Sequence, residues 1–365
     1  MVSSSQPQTT KALLTTPSLW LSTYSSFITT HQSSVTSIES ALRSLTYIIP
    51  GRFRDAELAS ESLHSSVQLL SMYHDTLLTR SLSKLPYAPK YQSPHNRYTK
   101  FWIGKSTAYR RVAQVLSIVQ YTELLWEMAA KRKGVRVRWR VVVLLELVKA
   151  ICRFLLLRIT NLRPLVTPAL PERDIIPEEV AVEEEAEFED EGFHEEKVKE
   201  VKEFKMKRTG RNLPVLPNAG DISNYLLSKV LTADDIKTPS ALLNKVNGTA
   251  QFAEWLHILQ PVLYALAMSR SKSAKNWQPW LLGLSVELAA RRLRKDGLRT
   301  TALEREQWGK RGWAMGWWAM RGAFYENVTK GFLHRTSDRL PGLISGVLDD
   351  YLYLWDNYYF SSSSN

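Results

Sequence analysis

Apolar residues along this chain recur mainly at intervals of three and four. After a Pro50-Gly51 turn they fall at Ala59, Leu63, Val67, Leu70, Tyr73 and Leu77, one stripe down a helix. Asp55 is placed to cap that helix, its carboxylate accepting an orphan amide of the first turn. A proline-marked loop follows over residues 85–98, and a second helical run covers Ser106 to Ala130. Residues 131–160 read KRKGVRVRWRVVVLLELVKAICRFLLLRIT. Residues 135–141 alternate apolar and basic as a strand would, but the apolar run continues far past strand length without a turn signal, which predicts a helix. Lys131, Arg132, Lys133, Arg136, Arg138 and Arg140 form a basic collar on it, with Trp139 inside the collar.

Three more apolar helical segments lie in the C-terminal half. Residues 252–270 hold Pro261, expected to kink the helix. Residues 277–294 begin Trp-Gln-Pro-Trp-Leu-Leu and end in Arg291, Arg292 and Arg294. Residues 308–328 read as one tryptophan-rich helix. Seven of the twelve tryptophans lie between Trp255 and Trp318, so an interface made by them is concentrated there. No repeat and no strand set is present. The pattern predicts an all-α helical bundle with long apolar or amphipathic, membrane-associated helices. It divides the chain into an N-terminal helical region (1–160), a spacer (161–217) and a C-terminal, Trp-rich helical region (218–365).

Charge sharpens that division. Residues 178–203 hold 13 acidic and 3 basic side chains, and residues 161–217 contain six prolines, a composition that reads as a disordered or loosely helical acidic linker. The chain carries a net +12; without residues 178–203 it has 45 basic and 23 acidic side chains, a net of +22. So basic a body predicts a polyanionic neighbour, either nucleic acid or anionic headgroups. Cys152 is the lone cysteine, which excludes an internal disulfide framework and suggests a reducing compartment. The Ser/Thr-rich N-terminus lacks the apolar core of a secretory signal, and YYFSSSSN at the other end is neither a peroxisomal matrix address nor a lipidation box.

Signals for chemistry are weak. The Ile-Gly-Lys-Ser-Thr stretch ends like a phosphate-binding loop, but Thr99 stands where its first glycine belongs. No cysteine pair or His-Glu-x-x-His suits zinc. Glu61-x-x-His64 and Glu254-x-x-His257 match the paired ligands of di-metal carboxylate bundles, so a soluble di-metal enzyme stays open as an alternative. A basic helical nucleic-acid-binding protein is a second, although the basic residues border long apolar stretches and no nucleic-acid motif is present.

Val141 to Leu157 carries Glu146, Lys149 and Arg153 on one narrow face. A helix over 135–160 is ~39 Å long, enough to cross a bilayer. Its three charges cost ~2.5–3.5 kcal/mol each near the centre of a span. A helix lying in the interface, or one whose charged face is sheltered by a bundle, fits better than a lone span.

The segment LTYIIPGRFRDAELASESLHSSVQLLSMYHDTLL resembles the N-terminal signature of the peroxin-sixteen family of peroxisomal membrane biogenesis proteins, with its Pro-Gly-Arg-Phe turn before a Ser/Glu-rich helix. Pro261 within an apolar helix, a basic link, then Trp277, Pro279, Trp280, Leu281 and Leu282 are similar to a second family segment. RGAFYENV and the aromatic end YLYLWDNYYF supply two more, all in the family's order. The acidic linker and the WGKRGWAMGWWAM stretch depart from it.

The resemblance implies a non-enzymatic adaptor with no catalytic, cofactor or metal residues. It implies residence in the peroxisomal membrane, reached by some members through the endoplasmic reticulum. It also implies help in targeting and inserting other membrane proteins. The implied partners are membrane lipids and other peroxins, including the docking peroxin and the cytosolic membrane-protein chaperone, and not nucleic acid. On this reading the contact residues are Arg52, Phe53 and Arg54, then Arg136, Arg138, Trp139 and Arg140, then Pro261, Trp277, Pro279, Trp280, Leu281 and Leu282.

Overall fold

The computed structural model describes residues 23–28, 31–48, 57–82, 93–173, 204–205, 212–213, 237–271, 273, 275–294, 301–339 and 341–362. The fold is all-helical. Its helices are α1 (Gln32–Ile48), α2 (Glu57–Leu82), α3 (Pro94–Lys105), α4 (Thr107–Arg132), α5 (Val135–Ile159), α6 (Thr249–Arg270), α7 (Trp277–Leu293), α8 (Ala302–Gly316), α9 (Lys330–Ser337) and α10 (Gly342–Asn357). Extended pairing among the described residues is limited to Phe204–Lys205 against Asn212–Leu213. Asp55, Arg52, Phe53, Arg54 and most of the acidic stretch lie outside the described residues.

Polar caps set several boundaries. Ser93 accepts the amide of Asn96 at 3.1 Å and Pro94 follows at the first helical position, a favourable start for α3. Ser106 ends α3 through its amide and starts α4 by accepting the amide of Tyr109 at 3.2 Å. Thr301 accepts the amide of Glu304 at 3.2 Å and donates its hydroxyl to the carbonyl of Leu242 at 2.8 Å, fixing α8 on the loop before α6. Between α4 and α5 the chain reverses at Lys133 and Gly134, where φ is +120°.

Helices α4, α5, α6 and α7 pack side by side in that order, each antiparallel to the next. Val142 and Leu145 of α5 meet Tyr264 and Ala265 of α6, while Ala150 and Leu157 meet Ile258 and Val262. Helix α6 runs unbroken through buried Pro261, which has no amide to offer the preceding turn. Helix α2 extends the row beside α4, and α1 packs on α2. One side of the row is covered by α8 and the C-terminal segment. Trp318, Tyr359 and Phe360 join Val142 and Tyr264 there in one core cluster.

Residues 161–173 pack into this core, although they open the stretch expected to be a spacer. Val166 and Ala169 are buried beside Tyr98 and Trp102, and Tyr109 donates its hydroxyl to the carbonyl of Ala169 at 3.1 Å. Arg173 then binds Asp75 at 2.7 Å and Glu39 at 3.0 Å, the latter already held by Ser71 and His74.

The expected single helix over 308–328 is instead broken. Helix α8 tightens into a 3₁₀ turn at Trp317–Met320 and stops at Arg321. Gly322 restarts it at φ +52°, with room for a Cβ only 2.6 Å from the Tyr264 hydroxyl. A π turn at Tyr325–Thr329 then leads into α9. Gly283 of α7 is equally confined, since a Cβ there meets Trp318 Cη2 at 2.5 Å. Gly283→Ala therefore forces the Trp318 ring out of place and destabilises the fold by about 1–3 kcal/mol, read as a lower thermal midpoint.

Candidate functional site: a polar seam behind an apolar face

Helix α5 turns its charges inward. Lys149 is 0% exposed and Glu146 1% exposed. The Lys149 ammonium donates to Glu123 Oε2 of α4 at 2.7 Å and to Glu146 Oε1 at 3.1 Å, and it lies 4.7 Å from the Phe360 ring. Arg153 follows on the same face, in electrostatic reach of Glu146 and Glu123. One end of the seam is Glu127, fully buried, which takes Arg138 Nε at 2.8 Å and the amides of Tyr359 and Phe360 at 2.7 and 2.9 Å.

Across α6 and α7 the seam continues. Glu254 takes both terminal nitrogens of Arg311, at 2.8 and 3.0 Å, and Arg294 at 2.7 Å. Burial pushes its pKa up, but these arginines outweigh burial and hold it below the ordinary carboxylate range. Glu287 meets His257 Nδ1 at 3.0 Å and accepts from Arg291 Nε at 3.1 Å. There too burial raises the pKa, and the hydrogen bonds and charges of His257 and Arg291 reverse it, to about 2.

Neither Glu-x-x-His pair forms a metal centre. Glu254 is committed to arginines and His257 to Glu287. Glu61 lies apart on α2, where burial raises its pKa to about 7 against a weaker lowering by Ser65. Among the described residues, no group of three or more His, Cys, Asp or Glu is gathered to hold a metal.

The opposite side of the layer is apolar. On α5 the exposed positions are Val135 at its start and then Arg136, Arg140, Leu144, Leu147, Ile151, Leu155 and Arg158, a single stripe at three- and four-residue spacing from Arg136 onward. Leu144 is 58% and Ile151 50% exposed, while the charges lie behind them. Helix α4 shows Val115, Ile118 and Trp126; α6 shows Phe252, Trp255, Leu259 and Leu263; α7 shows Trp277, Leu281, Leu282 and Leu288. Exposed arginines close the stripes: Arg111 and Arg132 on α4, Arg270 on α6, Arg292 on α7. Among the described residues, no helix is long and apolar enough to cross a membrane, and the charges of the seam are part of the reason.

The expected contact residues divide between these two sides. Arg136 and Arg140 are exposed, whereas Arg138 is spent on Glu127. Lys131, also of the collar, binds Asn357 at 2.8 Å and lies 4.3 Å from the Tyr358 ring. Trp139 packs edge-on against Tyr359. Pro261 and Pro279 are buried. Trp280 is half-buried, its indole N–H donating to the carbonyl of Trp318 at 3.0 Å and its ring stacked on Phe324. Trp277, Leu281 and Leu282 face outward. Glu123 and Glu127 were not anticipated in the sequence; their spacing of four along α4, one turn apart and facing the collared helix, was the signal available.

Removing Lys149 isolates buried carboxylates. Lys149→Met is expected to cost about 3–5 kcal/mol of stability, and adding Glu123→Gln to recover much of it, a non-additivity readable by thermal unfolding of the variants. Glu61 gives a pH signature. In the fold it keeps its proton between the ordinary 4.5 and about 7, so its contribution is full below 4.5 and lost as pH rises through 7. Glu61→Gln removes that loss. Its stability should fall less than the parent's between about pH 5 and pH 8, by about 1–3 kcal/mol.

Comparison with known proteins bears on this surface. The family model described as "Peroxisomal membrane protein (Pex16)" matches residues 22–357. The chain is 21% identical to the peroxisomal membrane protein PEX16 of Schizosaccharomyces pombe over 308 residues, covering 80% of this chain and 82% of that protein. It is 30% identical over 155 residues to the peroxisome biogenesis factor 16 of Dictyostelium discoideum, covering 37% of this chain and 36% of the relative. No solved structure matches. With a family match over nearly its whole length, the chain belongs to the Pex16 family of peroxisomal membrane proteins.

Proposed function

We propose that the chain is a membrane-bound, non-enzymatic adaptor that helps target and insert other proteins of the peroxisomal membrane. It works by contacts with protein and lipid. Its partners are membrane lipids and other peroxins, among them the docking peroxin and the cytosolic chaperone of membrane proteins, and it reaches its membrane by way of the endoplasmic reticulum. The names of its relatives, a peroxisomal membrane protein and a peroxisome biogenesis factor, support the setting.

The observation that carries the reading is how the Trp277–Leu282 segment is used. Folding takes Pro279 and half of Trp280, and Trp277 sets its ring edge-on against Trp280 and Phe324; Leu281 and Leu282 are left outside. Large apolar side chains kept in water cost solubility and gain nothing for the fold, which fits a surface kept for binding. The exposed arginines Arg136 and Arg140 support the same view. Arg136 sits in the first turn of α5, where a positive charge opposes the helix dipole and the turn itself holds no acidic residue.

Leu281→Glu with Leu282→Glu should therefore leave the thermal midpoint nearly unchanged while cutting delivery of a fluorescent peroxisomal membrane reporter in cells that lack the native chain. Full rescue by that variant would remove the segment from the adaptor surface. Trp280→Ala is the contrast, since losing its packing costs about 3 kcal/mol or more and should fail through folding.

A further inference from the structure

The apolar stripes of α4–α7 are too extensive for ordinary surface. Four helices at 8–10 Å spacing, each apolar over ~20 Å, present on the order of 700 Å², beyond the ~300–600 Å² of the largest patch on a typical soluble monomer. The stripes of α5 and α6 lie on one side of the row. On α5, three exposed aliphatics have a seam residue two positions away, about 200° around the helix: Leu144 and Glu146, Leu147 and Lys149, Ile151 and Arg153. The seam residues of α5 and α6 meet α8 and the C-terminal segment, so the stripes of both helices face away from that cover.

Both ends of this face are basic. Arg132, Arg136, Arg140 and Arg270 gather at one end, Arg111, Arg158 and Arg292 at the other. Arg140 and Arg158 are ~27 Å apart along α5. An apolar area closed by arginines on both edges complements acyl chains bordered by anionic headgroups.

That length alone fits either a crossing of the bilayer or a helix lying flat on it. The back of the molecule decides. Helix α8, packed over the seam side, exposes Trp313 near its C-terminal end but is charged ahead of it, where Arg305, Glu306 and Lys310 are exposed, with Lys310 and Glu306 paired at 2.8 Å and their side chains 40% and 46% exposed. Helix α1, beside α2, exposes Ser34, Ser37, Ser40 and Ser44 around one large apolar residue, Ile38. Were α4–α7 upright in the bilayer, these polar surfaces would stand alongside the apolar belt, at ~2.5–3.5 kcal/mol for each charge held at mid-depth. With the layer lying in the membrane plane, the same surfaces face water.

We infer that α4–α7 enter a single leaflet by their shared apolar face, as an in-plane layer that does not cross the membrane, with α8 and α1 on the aqueous side. This rests on the membrane-bound reading above and adds the surface, its orientation and its depth. The occupant of the face is lipid; a protein client or a second copy is what the test must separate from it.

The test uses full-length chain on isolated peroxisomes, with buried Cys152 replaced by Ala and single cysteines introduced by Arg140→Cys, Arg158→Cys, Lys310→Cys or Ile151→Cys. A membrane-impermeant maleimide should treat Arg140→Cys and Arg158→Cys alike, both reacting or both protected until the membrane is permeabilised. Lys310→Cys should follow them, and Ile151→Cys should react only after detergent. A polarity-sensitive fluorophore on Ile151→Cys, reconstituted in phosphatidylcholine vesicles containing phosphatidylinositol, should shift to the blue, brighten several-fold, and be quenched by lipids carrying a nitroxide on the acyl chain.

Opposite accessibility of the Arg140 and Arg158 positions would overturn the inference in favour of crossing helices. Direct reaction of Ile151→Cys on intact organelles would overturn it in favour of a face in water. Protection without nitroxide quenching would overturn it in favour of a protein cover, and would leave the adaptor reading standing. Absence of the parent chain from peroxisomes would sink the adaptor reading instead.

Discussion

A lysine ammonium held wholly away from water by two carboxylates is the contact on which the rest of this fold leans. An unpaired charge at that depth costs several kcal/mol, so Lys149 fixes where Glu123 and Glu146 must be, and with them the register of α4 against α5. Phe360 closes over the ammonium, and its own amide is bound one turn away by Glu127. The same logic repeats at Glu254 between Arg294 and Arg311. These pairs are poor sources of net stability beside well-packed leucines. What they supply is specificity, because only one arrangement of the helices leaves no charge alone.

A polar interior has a counterpart outside. Over its middle turns α5 buries Glu146 and Lys149 while Leu144, Leu147 and Ile151 face out, and α2 does likewise in part, with Leu63, Leu70 and Tyr73 outward and Ser71 and His74 buried. Averaged along a helix, the two halves cancel, so hydropathy alone reports an unremarkable segment. The distribution around each helix carries the information that the average loses.

Much of this was legible in the residues. The all-helical class, the bounds of α4 and α5, and the placing of Glu146, Lys149 and Arg153 on one face follow from spacing and caps, which are local. The stripe on α2 was found by its period, but period does not say which way a stripe points; Val67 is buried while Leu63 and Leu70 are exposed. The break at Gly322 depends on the Tyr264 hydroxyl, far away in sequence. The burial of Val166 and Ala169 depends on α3 and α4. Among the contact residues, Arg138, Trp139 and Trp280 are drawn inward by Glu127, Tyr359 and Trp318. Arginine and tryptophan at a surface collar look alike whether they meet a lipid or a distant backbone, and only tertiary partners separate the two.

Glu127 binds two amides more than 230 residues further along the chain, within the last described turn. Without those residues the carboxylate has Arg138 but not its other donors, and Lys149 lacks its aromatic lid. The polar seam of the helical layer is thus completed by a segment distant in sequence. The two halves of the chain are held as one fold by a contact that neither half can make alone.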